Sequence, residues 1–281
     1  MKIAFWSPYH GQAGTTSNIL AIAILAGMVH KQKVVLTQTQ FEMNNLEAPF
    51  VGVDLKTRDS SEYFRGIGID TLNRSLMAAP LTKDDVMNCC IEFLDGRLQL
   101  LPGSSKHNRQ YFEQSMSQTI LTLLGYVEKH CDVVLLDISS GNNPISKIII
   151  EESDLVVVNL PQNIGVTDRY FSNPLEGAKG EKFYLIGNYD PDSKYNLSSI
   201  RRTYRKHMKQ NNTGVVPYNT GFLDAQNDRD IINFFLNNVN SPKDDINGYF
   251  IQEATQTAEK ILALAKENKE KRQVEGGKLD G

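Results

Sequence analysis

Short apolar runs alternate with longer amphipathic segments along most of this chain. The apolar runs have the length and the Val, Ile and Leu content of strands that are buried on both faces. Two of the runs are closed by proline, which marks the point where a strand gives way to a loop. The first predicted strand begins at residue 2, and the others span 33–37, 98–103, 132–137, 155–159, 182–188 and 214–218.

The segments between these runs predict helices. The segment 19–29 is too apolar to face water and is expected in the core, whereas 109–130 carries its apolar residues on one face. The other predicted helices are a mostly helical stretch at 60–97 and helices at 145–152, 165–171, 196–210, 223–237 and 246–267. Strands that alternate with helices predict an α/β three-layer sandwich, in which a mostly parallel sheet of about seven strands is covered by helices on both faces.

Composition favours a single cytoplasmic domain. The 281 residues are 40% hydrophobic and 22% charged with a net charge of -3, which gives no overall attraction to nucleic acid or membrane. The three cysteines form no C-x-x-C pair, so neither a disulfide framework nor a zinc site is predicted. The run 19–29 is too short to span a bilayer, so no transmembrane segment is expected. Residues 1–267 are expected to form one domain, followed by a charged, flexible tail at 268–281.

The segment after the first predicted strand has the composition of a phosphate-binding loop. A standard loop of this kind is G-x-x-x-x-G-K-[ST], and Gly14 and Thr16 occupy its second glycine and its Ser/Thr positions. Tyr9 replaces the first glycine and Thr15 replaces the lysine. Backbone N–H groups and a helix N-terminus can hold a phosphate without that lysine, so the sequence predicts a cradle that lacks its cation. An ordinary strand-to-helix turn, whose glycines serve only geometry, is the alternative.

Asp137 ends the clearest buried strand of the chain. Open α/β sheets place their ligands at the carboxyl ends of their strands, so this carboxylate is expected near the phosphate loop. Together with the Thr16 hydroxyl it would hold Mg²⁺. A carboxylate that is merely capped or water-bonded at a strand end is equally compatible with the pattern.

Four motifs in this order resemble those of the deviant P-loop ATPases of the ParA/MinD family, over nearly the whole chain. They are the loop His10-Gly-Gln-Ala-Gly-Thr-Thr-Ser17, the strand end Asp137-Ile-Ser-Ser-Gly141, Asn188 at the end of a late strand, and Val216-Pro-Tyr-Asn219. Within the family, the chain is most similar to the TadZ/CpaE-like proteins of Flp-type pilus systems.

The resemblance implies a P-loop NTPase fold that binds ATP or ADP with Mg²⁺. It implies that Thr16 and Asp137 hold the metal, and that Asn188 and the 217–219 loop lie beside the adenine. The implied nucleotide-binding residues are Gly11, Gln12, Ala13, Gly14, Thr15, Thr16, Ser17, Asn188, Pro217, Tyr218 and Asn219. It also implies a homodimer that works with protein partners.

The chain departs from the family where the chemistry needs charge. The family's lysines are absent at the places of His10 and Thr15, and its aspartates are replaced by Gln38 and Gln40. Glutamine can form hydrogen bonds but cannot carry charge. Each lost charge contact costs on the order of 100- to 1,000-fold in rate, so little hydrolysis is expected. The candidates for a substitute cation are Lys2, Lys106 and Arg109, or a cation that a partner chain supplies.

The leading hypothesis is a weakly hydrolytic or non-hydrolytic nucleotide-binding protein that acts as a localisation or assembly factor for a Flp-type pilus or a secretion system. It would be cytoplasmic and recruited by partners to the membrane or the cell pole. One alternative is an active, atypical ATPase that dimerises with ATP. Another is a nucleoid or DNA-partitioning protein that binds DNA phosphates through a basic cluster. The same cluster could instead be an ordinary solvent-exposed helix face. The cluster comprises Arg201, Arg202, Arg205, Lys206 and Lys209.

Overall fold

The computed structural model describes residues 1–40, 46–51, 66–104 and 109–276. Its centre is one sheet of eight strands: β1 Lys2–Trp6, β2 Val34–Gln38, β3 Ile91–Phe93, β4 Leu98–Leu101, β5 Val133–Asp137, β6 Leu155–Pro161, β7 Phe183–Tyr189 and β8 Thr213–Pro217. Their order across the sheet is β3-β4-β2-β5-β1-β6-β7-β8. Only β3 and β4 pair antiparallel among these strands. The predicted α/β class with a mostly parallel sheet is therefore confirmed.

Strand β3 is one strand more than the sequence predicted, and it lies inside the 60–97 stretch that was expected to be mostly helical. The chain reverses after β3 because Leu94 and Asp95 both adopt positive φ, at 54° and 52°, and Gly96 follows at 77°. Two successive residues with positive φ give a tight hairpin turn, which returns the chain as β4. The apolar residues of this segment therefore serve a hairpin, although their spacing resembles that of a helix face.

Eleven helices complete the described part of the chain. They are α1 Thr15–Met28, α2 Gly68–Ala78, α3 Lys83–Asn88, α4 Arg109–Ser117, α5 Ile120–Glu128, α6 Pro144–Glu152, α7 Ile164–Ser172, α8 Leu197–Thr203, α9 Thr220–Asn227, α10 Ile231–Asn238 and α11 Ile246–Gly276. The predicted basic helix at 196–210 is thus shorter than expected. It ends at Thr203 because the turns that follow bury Tyr204 and Met208.

The single long helix predicted at 109–130 is two helices, α4 and α5. Hydroxyl side chains compete with the helix near the break: Ser117 donates to Gln114 O at 3.2 Å and Thr119 donates to Ser115 O at 3.1 Å. Such bonds from a side chain to a preceding carbonyl often bend helices. The apolar periodicity continues through the break, so it could not reveal the interruption.

Two apolar layers sandwich the sheet. On one face α1 packs against the sheet and against α11, and its residues from Ile19 to Ala26 are completely buried. On the other face the core is built from the apolar sides of α2, α5, α6 and α7. Removing α1 from water on all sides explains why its sequence is uniformly apolar rather than amphipathic. This rigid layer fixes the place where α1 begins, directly above the carboxyl edge of β1.

Helix α11 continues well past its predicted end at residue 267. Asn268 is buried, and its amide donates to Asp154 O at 3.0 Å and to Glu181 O at 2.9 Å, while Arg272 donates to Ser153 O at 3.1 Å. The stretch expected as a flexible tail from 268 therefore begins as a docked helix, and 277–281 lie outside the described residues. In the part of the chain that the structure describes, no helix is both long and apolar enough to cross a bilayer.

Candidate functional site

The phosphate loop joins β1 to α1 at the carboxyl edge of the sheet. Gly14 caps α1 in the left-handed region with φ at 61°, and no side chain accepts a hydrogen bond from the first N–H groups of the helix. A Cβ at this position would be strained and would lie 3.3 Å from Asn188 Nδ2. The loop therefore needs its second glycine for geometry, and the first N–H groups of α1, which have no side-chain cap among the described residues, are suited to bind an anion.

A buried network of amides holds this loop in shape. Asn18 donates to Ala13 O and to Asn159 Oδ1, both at 2.9 Å, and Asn159 donates to Trp6 O at 3.2 Å. On the other side, a Cβ on Gly187 would collide with the Ala13 carbonyl oxygen. Sequence reasoning missed Asn18 and Asn159, although asparagines within apolar runs signal a buried polar contact. The cradle is preorganised by these contacts.

A cavity of about 220 Å³ opens above the loop. It is lined by His10, Gly11, Ala13, Gly14, Thr15, Thr16, Ser17, Gln40 and Ser140. Most of the residues predicted for the loop are therefore brought together, whereas Gln12 is exposed and does not line the cavity. The lining contains no lysine or arginine among the described residues. The donors that this cavity offers are thus backbone amides, hydroxyls, the His10 imidazole and the Gln40 amide.

Asp137 is completely buried and contacts two residues that line this cavity. Its carboxylate accepts a hydrogen bond from Thr16 Oγ1 at 2.6 Å and another from Gln40 Nε2 at 2.6 Å. Burial raises the pKa of Asp137 to about 6, and the charge of Glu47 adds to the rise while the two hydrogen bonds oppose it. The sequence placed Thr16 and Asp137 in one site, and the structure joins them directly.

Glu47 is a second buried carboxylate that sequence reasoning did not recognise as part of the site. It accepts hydrogen bonds from Gln38 Nε2 at 2.7 Å and from Gly103 N at 2.6 Å. Burial raises the pKa of Glu47, against the effect of these hydrogen bonds and of its own backbone N–H. An acidic residue within an apolar stretch, Leu46-Glu-Ala-Pro-Phe50, was the available signal.

The two glutamines at the end of β2 have a clear chemical reason to be amides. Gln38 donates to Glu47 and Gln40 donates to Asp137. A carboxylate in either place would face another buried carboxylate, and like charges at that separation cannot both ionise readily. Each glutamine therefore stands where an acid would repel a buried carboxylate, and it donates a hydrogen bond to that carboxylate instead.

The Thr16–Asp137 pair fits Mg²⁺ chemistry. Mg²⁺ in nucleotide sites is bound by one or two oxygen side chains together with phosphate oxygens and water. Asp137 is a buried carboxylate whose described partners are neutral, so it supplies the negative charge that such an ion requires. Thr16 and Asp137 are the residues that would hold it, and the ion would neutralise phosphate charge in the cavity above them.

The residues predicted to surround the base lie on the same edge of the sheet. Asn188 is exposed with φ at 49° and lies beside Gly14. Asn219 instead caps α9 by accepting from Phe222 N at 2.7 Å, and it also donates to Asn247 Oδ1 at 3.0 Å. Tyr218 is 56% exposed, so its ring offers a stacking surface. Contact of these residues with a base stays a prediction.

The phosphate loop and the predicted base loop are linked. Ser17 Oγ donates to Gln226 Oε1 at 2.9 Å, and Gln226 lies on α9 directly after the 217–219 loop. Ser17 therefore connects two parts of the site in addition to lining the cavity.

The prediction that Lys2 could serve as a substitute cation was wrong. Lys2 lies at the amino edge of the sheet, where its Nζ is 3.8 Å from Glu128 Oε2, because β1 runs away from Lys2 towards the loop. Lys106 and the Arg109 side chain lie outside the described residues. A cation that sequence reasoning missed, Arg169 on α7, lies over the Tyr9 ring with its guanidinium carbon 5.8 Å from the ring centroid.

A preorganised strand–loop–helix cradle at the carboxyl edge of a parallel sheet, with a buried aspartate at the next strand end, defines a P-loop NTPase-like fold. Solved structures with this fold include a ParA family ATPase from Chlorobium tepidum TLS, with 10% sequence identity, a TM-score of 0.67 and coverage of 92% of this chain and 98% of that chain. No protein-family model matches the sequence, and neither does any curated protein.

Two further solved structures extend the comparison. The septum site-determining protein MinD from Pyrococcus horikoshii OT3, solved with Mg-ADP, has 13% identity and a TM-score of 0.57, covering 95% of this chain and 96% of that chain. MinD in the MinC:MinD complex of Aquifex aeolicus has 15% identity and a TM-score of 0.60, covering 94% and 96%. At these identities the likeness establishes the fold alone: the chain has the ParA/MinD P-loop NTPase fold.

Proposed function

We propose that this protein binds ATP or ADP with Mg²⁺ in the cavity above the phosphate loop and hydrolyses ATP slowly or not at all. The observation that carries the proposal is a cradle with intact backbone geometry and a paired Thr16–Asp137, lined by no lysine or arginine among the described residues. Binding and hydrolysis make different demands on such a site, so they are considered separately.

Binding needs donors and a site for the metal. Uncapped N–H groups at the start of α1, the hydroxyls of Thr15 and Thr16, and the fixed loop supply donors in a confined space. Helix N-termini hold phosphates through these groups even where no lysine is present. The relative that was solved with Mg-ADP shares this fold, which supports the same class of ligand here.

Hydrolysis needs charge at the transferred phosphoryl group. Phosphoryl transfer depends on positioning and on electrostatic stabilisation of the equatorial oxygens. Thr15 offers no positive charge, and Gln38 and Gln40 are each committed to a buried carboxylate. We therefore expect the nucleotide to act as a bound switch or structural ligand rather than as a rapidly consumed substrate.

We further propose that the nucleotide controls a homodimer that serves as a localisation or assembly factor. A MinD with the same fold was solved in a complex with MinC, which supports partner binding for this fold. The sequence resemblance to TadZ/CpaE-like proteins supports a Flp-type pilus or a secretion system as the machine. In this proposal the protein is cytoplasmic and reaches the membrane or the cell pole through its partners.

Steady-state turnover and sedimentation of the same sample test this function. We expect dimers with ATP and Mg²⁺, monomers without nucleotide, and turnover near the background rate. A substantial turnover that Asp137→Ala abolishes would contradict slow hydrolysis and support the active, atypical ATPase instead. An unchanged sedimentation coefficient in saturating ATP would contradict nucleotide control of the dimer.

A second candidate function is DNA binding through the basic cluster. Arg202, Arg205, Lys206 and Lys209 are exposed, and none forms an ion pair in the part of the chain that the structure describes. Unpaired surface cations suit phosphate backbone contacts that ignore sequence. Joint replacement of Arg201, Arg202 and Arg205 by glutamine should weaken binding to duplex DNA and flatten its salt dependence, and unchanged affinity would exclude this role.

A further inference from the structure

A second cavity lies beside the first residues of the phosphate loop, on the side away from the phosphate cavity. Its volume is about 410 Å³, against about 220 Å³ for the phosphate cavity. Volumes of this size are typical of small-molecule sites, which span about 300–1,000 Å³. The start of the phosphate loop, the turn after β5, one side of α6 and the segment after α7 form its walls. None of its lining residues lines the phosphate cavity.

Aromatic rings form much of this second cavity. Trp6 is nearly buried, and its indole is fixed by a hydrogen bond from Nε1 to Gly141 O at 3.0 Å. The Tyr170 ring lies 6.4 Å from the Trp6 ring, measured between centroids, and Tyr9 forms the wall on the side of the phosphate loop. Rings held in tilted pairs favour a flat aromatic ligand, which can contact one face and one edge at once.

One buried polar group in this lining is not held at full hydrogen-bond geometry by any described residue. Tyr170 is 2% exposed, and its hydroxyl meets no described donor or acceptor within hydrogen-bond geometry. The hydroxyl lies close to the main chain of Leu175, which is itself a wall of the cavity, and to the Tyr184 side chain. Since buried hydroxyls in folded proteins are nearly always paired, this one favours a ligand that brings a hydrogen-bond acceptor.

The described lining of the cavity contains one lysine and one glutamate, and an arginine lies beside it. Lys147 on α6 lines it and forms no ion pair within the described residues, and Arg169 lies over the outer wall at Tyr9. Glu176 is the carboxylate in the described lining; burial lowers the pKa of Lys182, and the charge of Glu176 opposes that effect. The Lys147 ammonium therefore remains available for an anionic group.

We propose that this cavity is a binding site for a small planar aromatic anion. The ligand ring lies against Trp6 and Tyr170, its anionic group pairs with Lys147, and an acceptor atom takes the Tyr170 hydroxyl hydrogen. The site is separate from the phosphate cradle but contacts the same two loops: Gly141 N donates to Ser7 O at 3.0 Å, and Gly141 directly follows Ser140 of the phosphate cavity.

The protein carries its own reporter for this proposal, because Trp6 is the only tryptophan in the sequence. Anilinonaphthalene sulfonate is a planar aromatic anion that accepts energy from tryptophan, so it serves as the probe. We expect saturable quenching of Trp6 with matching probe emission. Lys147→Gln should weaken the probe about tenfold, as the loss of one charge-assisted contact does. Lys147→Arg should retain binding, and Tyr170→Phe should weaken it by a smaller factor.

Two controls locate the probe. Lys83 is an exposed lysine on α3 that does not line the cavity, so Lys83→Gln should leave the affinity unchanged. Gly14→Asp, which obstructs the phosphate cradle, should also leave it unchanged. Equal affinity in Lys147→Gln and Lys83→Gln would overturn the proposal. Loss of the probe in Gly14→Asp but not in Lys147→Gln would place it in the phosphate cavity and overturn the proposal as well. Melting temperature and circular dichroism confirm that each variant is folded.

Discussion

The two edges of the sheet surround their carboxylates in opposite ways: Glu128 at the amino edge is partly exposed, and Asp137 and Glu47 at the carboxyl edge are buried. At the amino edge, Glu128 pairs with the N-terminal ammonium at 3.2 Å and with Lys269 at 2.7 Å. Burial alone would raise the pKa of Glu128, but these two cations lower it to about 2. At the carboxyl edge, the described donors to Asp137 and Glu47 are all neutral, and burial raises the pKa of both.

This contrast separates stability from function. The amino edge joins the chain start, α5 and α11 through satisfied charges, so its acid contributes to folding. Among the described residues, no cation pairs with the two buried acids of the carboxyl edge; this costs stability and leaves negative charge where Mg²⁺ and a nucleotide would bind. Groups whose pKa is perturbed by burial within a cleft are functional-site candidates for this reason.

The largest expected effect comes from removing the Asp137 charge. Its folded-state pKa of about 6 lies above the ordinary value of 3.8, so its ionisation opposes folding as pH rises through this window and has no effect below it. Asp137→Asn should therefore gain about 3 kcal/mol of unfolding free energy over the native protein between about pH 4 and pH 7. Urea unfolding across this pH range measures the gain, and Asp244→Asn, at an exposed position, is the control. A gain that is independent of pH would contradict this prediction.

The opposite sign is expected at Glu128. Its pKa is lowered from 4.5 to about 2, so its contribution is present above about pH 4.5 and is lost as the pH falls towards 2. Glu128→Gln should lose about 2 kcal/mol of unfolding free energy at pH 7, a value reduced for the partial exposure of the pair. The same unfolding series serves as the measurement. A loss that persists at about pH 2 would mean that packing, rather than charge, is the cause.

A charge added at Gln40 should sharpen the contrast. Gln40→Glu places a carboxylate against Asp137. At about pH 8 we expect it to lower the free energy of unfolding by about 1.5 kcal/mol more than Gln40→Ala does. The difference should vanish near pH 5, because one of the two carboxyls then takes up a proton. Gln40→Ala is the matched control because it removes the hydrogen bond without adding charge. Equal costs at both pH values would show that the carboxyl edge tolerates a further acid.

The smallest effect should follow from restoring a cation to the cradle. Thr15 lines the phosphate cavity in the lysine position, so Thr15→Lys should tighten ATP binding about tenfold, and the gain should shrink at high salt. Thr15→Met, which has a long side chain without charge, controls for size. If Thr15→Met gains as much as Thr15→Lys, the missing cation is not what limits affinity.

Sequence patterns were most informative where burial alone determines structure. The parallel strands and the fully apolar α1 follow directly from uninterrupted apolar runs. Asp137 could be placed because it ends such a run, and Gly14 and Thr16 because they occupy two positions of the phosphate-loop motif. Patterns were least informative where backbone conformation or long-range contacts decide. The hairpin at Leu94 and Asp95, the pairing of Glu47 with Gln38, and the position of Lys2 at the far edge depend on tertiary contacts that one-dimensional periodicity does not contain.

Calorimetric titration with ATP and Mg²⁺ tests the central claim, that the cradle binds nucleotide without its lysine. The control is Gly14→Asp, which puts a carboxylate at a position with φ at 61° whose Cβ would lie 3.3 Å from Asn188 Nδ2. Thr16→Val, which removes only a hydroxyl, is a second variant in case Gly14→Asp does not fold. We predict saturable heat with one nucleotide per chain, abolished in Gly14→Asp and weakened in Thr16→Val. No heat at millimolar ATP, or equal heat in all three proteins, would contradict the claim.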